Sequence, residues 1–492
     1  MVELIPLRNE TLGDIPSGVK TPTYDRSTLS AGIVHIGLGN FHRAHQAWYL
    51  HRLMEMGLAK DWAIVGAGVR EHDREQRARM VTQNFLTTLI RLDPKEKSAE
   101  ITGSMIDYVS VEDGNRPLIE RMSQSDIRIV ALTVTEGGYY RDPATGLFDA
   151  THPDMVHDAA NPDRPITAFG AMIAALKLRR NAGTGPFTGL CCDNLQGNGG
   201  ILKRTLVSLA RLSDDDLADW IEMHCSFPNS MVDCIVPATG AKELALVQSF
   251  GIDDAVPVTH ESFRQWVIED NFCKGRPDWD KAGATFSPAV HDYETMKLRI
   301  LNGGHQMISM SGDLLGIETI SGCMAHEHIR AFLQTTMKRE VLPNVKPVPN
   351  MTPSSYLELI EGRFSNPEIV DTTRRVAFDG SSRQPGFIIP SIRDALSNGQ
   401  PIDGLALMSA LWMRYCLGTR ENGSAIEPND PNWATLNKVA EESVDDPENW
   451  LHQRQYYGDI AQHHSFRDAF VKWAICLAEE GVESTFQTFL HR

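Results

Sequence analysis

Basic residues are in short supply in this chain of 492 residues: 47 Lys and Arg stand against 64 Asp and Glu, a formal net charge of −17. Nucleic acid and anionic membrane both need a surplus of cations to meet phosphate, so neither is expected as a partner. Excess acid favours solubility instead. Cysteine is sparse and unpatterned, with eight residues scattered from Cys191 to Cys476 and no Cys-x-x-Cys. That spacing excludes a disulfide framework and points to a reducing compartment. No uncharged apolar run approaches the ~20 residues that span a bilayer. The segment from Met1 to Gly18 is polar and acidic, unlike the apolar core of a signal peptide. A cytoplasmic protein is expected. Internal repeats, heptads and low-complexity tracts are also missing.

What is present is ordinary globular material. Hydrophobic residues make up 42% and charged residues 23%, enough for a large core without staples. The first half alternates short apolar runs with helical segments: Ala31–Gly37, Trp62–Val69, Ile127–Thr135, Pro186–Cys192 and Cys234–Ala238 read as strands. Continuous apolar strands between helices indicate a mainly parallel α/β sheet of Rossmann type, buried on both faces. Residues 274–290 are rich in Gly, Pro and charge, and the domain boundary is expected there. Beyond it the periodicity is helical, as in Tyr293–Leu315, Leu405–Leu417 and Arg467–Glu480. The expected domains are therefore 1–287, dinucleotide-binding, and 288–492, mainly helical.

Gly37-Leu38-Gly39-Asn40-Phe41-His42 follows the first strand and opens a helix. In a dinucleotide fold the first glycine makes the tight turn and the second lets backbone approach the pyrophosphate. The third glycine of the usual fingerprint is replaced by His42. An acidic residue should bind the adenosine ribose at the end of the second strand. Glu71 and Asp73 are the candidates, although both lie further from Gly39 than the usual spacing of about 20. Asp73 in this role favours NAD by repelling a 2′-phosphate, and neighbouring Arg70 and His72 soften the preference.

The stretch from Tyr293 to His305 carries the chemistry. At about 100° per residue, Lys297, His305 and Asn302 stand at roughly 0°, 80° and 140° on one side of a helix. Alcohol oxidation needs a base for the hydroxyl proton, donors for the developing alkoxide and an acceptor for the hydride. A lysine kept neutral by burial suits the first task, and an amide and an imidazole suit the second. The same residues would also suit a surface lysine, a capping asparagine and a core histidine, and the helix alone does not choose. Tyr293 and Lys297 form Tyr-x-x-x-Lys, but the glycine turn of short-chain dehydrogenases is absent. The His326–His328 and His463-His464 pairs lack the cysteines or acids of a catalytic zinc site.

Taken together, the motifs resemble the long-chain mannitol dehydrogenase family. The resemblance rests on Gly37-Leu38-Gly39-Asn40-Phe41-His42-Arg43-Ala44-His45-Gln46, Thr135-Glu136-Gly137-Gly138-Tyr139 and Cys192-Asp193-Asn194-Leu195. It continues through Phe227-Pro228-Asn229-Ser230-Met231-Val232-Asp233, Lys297-x-x-x-x-Asn302-Gly303-x-His305 and Asp379-Gly380-Ser381-Ser382. It implies NAD-dependent, metal-independent oxidation of a polyol, D-mannitol first, to its 2-ketose, by a monomer. It implies Lys297 as general acid/base, Asn194 and Asn302 as an oxyanion pocket and His305 as a hydrogen-bond partner of the reacting oxygen. Asp233, Arg375 and Arg383 would contact the polyol, and Glu136 would link Lys297 to solvent. Gly37, Leu38, Gly39, Asn40, Phe41 and Asp73 would bind the cofactor. Two departures stand out: Cys234 follows Asp233 where the family has arginine, and Arg383 replaces a usual lysine. A uronate reductase or an arabinitol dehydrogenase of the same family is the nearest alternative. A nicotinamide-binding sensor without catalysis is more remote, since it would not need the Lys297–Asn302–His305 set.

Overall fold

The structure, a computed structural model, describes residues 4–141 and 146–491. The chain divides into two compact units, Met1–His291 and Asp292–Arg492.

The first unit is built on five parallel strands: β1 (Ala31–Ile36), β2 (Ala63–Ala67), β3 (Met105–Tyr108), β4 (Ile129–Leu132) and β5 (Thr188–Cys191). Their order across the sheet is β3-β2-β1-β4-β5, the doubly wound arrangement in which the chain reverses direction beside β1. All residues of β1, β2, β4 and β5 are buried, which explains why they read as continuous apolar runs rather than alternating ones. One expected strand moves. Residues 234–238 form no strand, and the strand is β6 (Ser230–Asp233), antiparallel to β7 (Gln265–Ile268). Pro237 has no N–H for a ladder, and the Ile235 N–H is taken by the Glu261 carboxylate. The Gly- and Pro-rich stretch stays with this unit, because β8 (Thr285–Phe286) pairs with β7. A separate four-stranded sheet, with Thr87–Leu92 and Lys97–Thr102 at its centre, completes the unit.

The second unit is helical. It starts within the helix Val290–Met296, which continues without a break through a π-helical turn, Lys297–Asn302, and then Gly303–Leu314. Its largest packed pair joins Asp403–Cys416 to the C-terminal helix His464–Leu490. Among the described residues no helix is long and apolar enough to cross a membrane.

Candidate active site

The glycine turn sits at the C-terminal end of β1. Gly37 has φ +91°, and a Cβ there would lie 2.1 Å from the Thr133 carbonyl oxygen, so no other residue fits. Gly39 is different: a Cβ would meet nothing within 4 Å, leaving open space beside the backbone. Asn40 braces the turn. Its Nδ2 donates to Pro237 O at 3.0 Å and Thr239 Oγ1 at 2.9 Å, and its Oδ1 accepts from Arg43 Nη2 at 2.7 Å. Leu38 is buried, and Phe41 stacks on His45 with ring centroids 4.9 Å apart. His42, in the place of the third glycine, is buried and stacked on His35 at 3.4 Å. Burial pushes His35 down to about 3 and His42 well below its ordinary value, so the stack is uncharged.

Of the two acids considered for the ribose, Asp73 turns back toward the strand end. Its carboxylate accepts from the Arg70 N–H at 2.9 Å and fills the place a Cβ on Gly68 would need, 2.2 Å away. Glu71 points outward, its side chain 91% exposed beside Arg74.

Three of the sequence motifs are tied together within the first unit by buried amides and carboxylates. Asp193 accepts from Val134 N at 3.0 Å, Thr135 N at 2.9 Å and the Tyr139 hydroxyl at 2.6 Å. It thereby fixes the backbone on both sides of the turn, where Thr135 is held at φ +70°, and sets the position of exposed Asn194. Glu136 opens the short turn Glu136–Tyr139, and its side chain lies outside the described residues. Asn198 donates to the carbonyls of Cys191, Asp193 and Ser230 and accepts from Ser230 N. This anchors β6, whose last residue, Asp233, is 6% exposed. Cys234, where the family carries arginine, is buried as well.

In the second unit, Lys297 is 7% exposed and opens the π-helical turn that ends at Asn302. The i→i+5 pattern makes each residue advance less than the 100° of an α-helix. Asn302 is thus brought round closer to the Lys297 face than regular periodicity places it. Two more π-helical segments, Met337–Val341 and Gln384–Ile388, pack against this one. The Asn302 Oδ1 and His305 Nε2 atoms are buried without a hydrogen-bond partner. His305 stacks on Phe364 with centroids 4.1 Å apart. Burial pushes its imidazole down to about 3 against the opposing pull of Asp371, so His305 is neutral. Gly304 packs among Leu333, Met337 and Phe364, which assigns it to helix packing rather than to a ligand. Tyr293 gives its hydroxyl to Pro349 O at 3.3 Å, away from any role as a Tyr-x-x-x-Lys partner.

Arg375 lies on the short helix Thr373–Ala377. Its Nε and Nη2 donate to the two Asp371 carboxylate oxygens at 2.6 and 2.5 Å. The Val376 carbonyl accepts both Gln306 Nε2 at 2.9 Å and Arg383 Nη1 at 2.5 Å, joining the His305 helix to both arginines. Asp371 and Gln306 were not singled out in the sequence, although Asp-x-x-x-Arg is a visible i,i+4 spacing. Glu294, three residues before Lys297, is also buried, 4% exposed. Buried acids are rare, but burial cannot be read from one side chain. His326 and His328 both face Glu483. Among the described residues no group of three or more His, Cys, Asp or Glu could hold a metal ion.

A turn of this kind at the head of a sheet of this order defines a dinucleotide-binding oxidoreductase. Comparison with known proteins narrows the class. The mannitol dehydrogenase Rossmann domain matches residues 31–281 and the mannitol dehydrogenase C-terminal domain matches residues 289–474. The chain belongs to the mannitol dehydrogenase family. It is 52% identical to a mannitol 2-dehydrogenase of Cereibacter sphaeroides over 96% of this chain and 99% of that one. The Pseudomonas fluorescens mannitol 2-dehydrogenase, solved as a ternary complex with NAD and D-mannitol, superposes with a TM-score of 0.90 at 38% identity, covering 99% and 100% of the two chains. A D-sorbitol dehydrogenase solved in substrate-free form gives 0.89 at 32% identity, covering 98% and 100%.

Proposed function

We propose that the protein is an NAD-dependent polyol dehydrogenase that interconverts D-mannitol and D-fructose. The observation that carries this reading is the buried Lys297 on a π-helical turn with Asn302, in a chain that aligns end to end with mannitol 2-dehydrogenases. NAD, when bound, takes up or returns the hydride. The open face of Gly39 and the inward carboxylate of Asp73 suit its pyrophosphate and its adenosine ribose. The residues of the chain handle the proton and the charge. Lys297, with its amine uncharged, takes the hydroxyl proton of C2, and as an ammonium it protonates the ketose oxygen in reverse. Asn302 donates its amide to the developing alkoxide, an interaction that grows as charge forms and so lowers the barrier. His305 orients the substrate as a neutral hydrogen-bond partner. Arg375 and Arg383 contact the polyol hydroxyls. The roles of Asn194 as a second alkoxide donor, Asp233 as a polyol contact and Glu136 as a proton relay rest on the family motifs that contain them. The assignment of residues 1–287 to cofactor binding and of 288–492 to catalysis rests on the same motifs.

The test is NAD and, separately, NADP reduction by the purified protein on mannitol, sorbitol and arabinitol, with fructose in reverse. NAD-linked turnover of mannitol and fructose is expected. Lys297→Ala should abolish turnover while NADH still binds, and near-normal turnover of that variant at neutral pH would sink the assignment.

A further inference from the structure

The pair formed by Arg375 and Asp371 bears on which substrates the site accepts. Arg375 uses one edge of its guanidinium, Nε and Nη2, on the two oxygens of Asp371 at 2.6 and 2.5 Å. The arginine side chain is 63% exposed and the aspartate side chain 6% exposed. A bidentate pair of this kind fixes both the position and the plane of the guanidinium. It takes two of the five N–H donors and leaves three for a ligand. It also cancels the charge of Arg375. Three aimed donors without net charge match the acceptor oxygens of a neutral polyol. A carboxylate gains little from a cation already paired, and is repelled by the buried charge of Asp371. Both groups lie in the field that acts on His305, together with Arg363 and Arg383. Asp371 does not depend on its side chain to stay in place: its N–H donates to Ile369 O and its carbonyl accepts from Ile320 N, both at 2.9 Å.

We propose that Asp371 is a specificity-determining positioning residue, which holds Arg375 as a charge-neutral donor and so selects uncharged polyols and ketoses over uronates. The inference rests on the reading that puts the substrate against Arg375.

The experiment measures kcat/KM for NADH-linked reduction of fructose and of fructuronate by the wild type, Asp371→Asn and Asp371→Glu. The wild type favours fructose. Asp371→Asn should raise KM for fructose about tenfold with a smaller change in kcat, the scale of a lost charge-assisted bond. It should raise kcat/KM for fructuronate, so that the preference shifts by ten- to a hundredfold. Asp371→Glu, which keeps the charge, should restore most of the preference. In an Arg375→Met background the effect of Asp371→Asn on the preference should vanish, since Asp371 acts through Arg375. Equal losses on both substrates, or an unchanged preference, would show a merely structural role and overturn the proposal. A shift that persists without Arg375 would overturn it also. A wild type that binds NADH but reduces no ketose would instead refute the polyol reading, and this inference with it.

Discussion

Gly37 and Gly39 sit two residues apart and are held by opposite constraints. At Gly37 the positive φ and the Thr133 carbonyl 2.1 Å from a Cβ position leave no room. Gly37→Ala should cost about 1–3 kcal/mol from the backbone alone. It should also displace Thr133, whose hydroxyl donates to Gly37 O at 2.6 Å, and thermal melts should show the loss in the protein without cofactor. At Gly39, φ is −86° and the Cβ direction is empty. Gly39→Ala should therefore leave the melting temperature unchanged and weaken NADH binding, measured by fluorescence titration. Asn302 makes a third case. Its amide oxygen is buried without a hydrogen-bond partner, so no hydrogen bond of that atom ties it to the fold. Asn302→Ala should lower kcat by about 10²–10³ with little change in KM, the scale of a lost oxyanion donor. The glycines and the Lys297–Asn302–His305 spacing were legible in the sequence because each motif is local. Asp371 was not: its spacing from Arg375 is visible, but which of many Asp–Arg spacings becomes a bidentate pair on a buried carboxylate depends on packing.

Between residue and molecule, the turn that carries Lys297 departs from what periodicity predicts. A regular helix over Tyr293–Leu315 was expected, and the structure inserts a π-helical turn at Lys297–Asn302, flanked by two others. Helical periodicity averages over several turns and cannot register one extra residue. One of the flanking segments holds Glu340, 2% exposed, whose carboxylate accepts from Gly404 N at 2.7 Å and Leu405 N at 2.8 Å at the start of Asp403–Cys416. Burial pushes this carboxyl up from 4.5 to about 7, more than those two amides pull it down. The folded state thus holds the Glu340 proton more tightly than the unfolded chain does. Its contribution to stability is full below pH 4.5 and is lost as pH rises through about 7. Glu340→Gln should flatten that limb of the stability curve, read from urea midpoints taken across the same range. The strand displaced from Cys234–Ala238 to Ser230–Asp233 has a similar origin. Both stretches suit a strand, and pairing with Gln265–Ile268 selects the one that ends in Asp233.

At the level of the whole chain, all eight cysteines are free and five of them are buried. Stability should accordingly be indifferent to reductant, and the melting temperature should agree with and without dithiothreitol. The charge balance, the composition and the two-part organisation follow from the amino-acid sequence because they are sums and long-wavelength patterns that no fold can alter. The class of fold, the glycine turn and the spacing of Lys297, Asn302 and His305 follow from it too, since strand-turn-helix and residues on one helical face are short-range arrangements. Tertiary structure alone decided the strand order β3-β2-β1-β4-β5, the inward turn of the Asp73 carboxylate while Glu71 faces outward, and the π-helical turn beneath Lys297. It alone paired Arg375 with Asp371. The strand order depends on which distant segments pair, and the others on which side chain packing turns inward, since burial sets whether a charge is paired and whether a histidine is neutral.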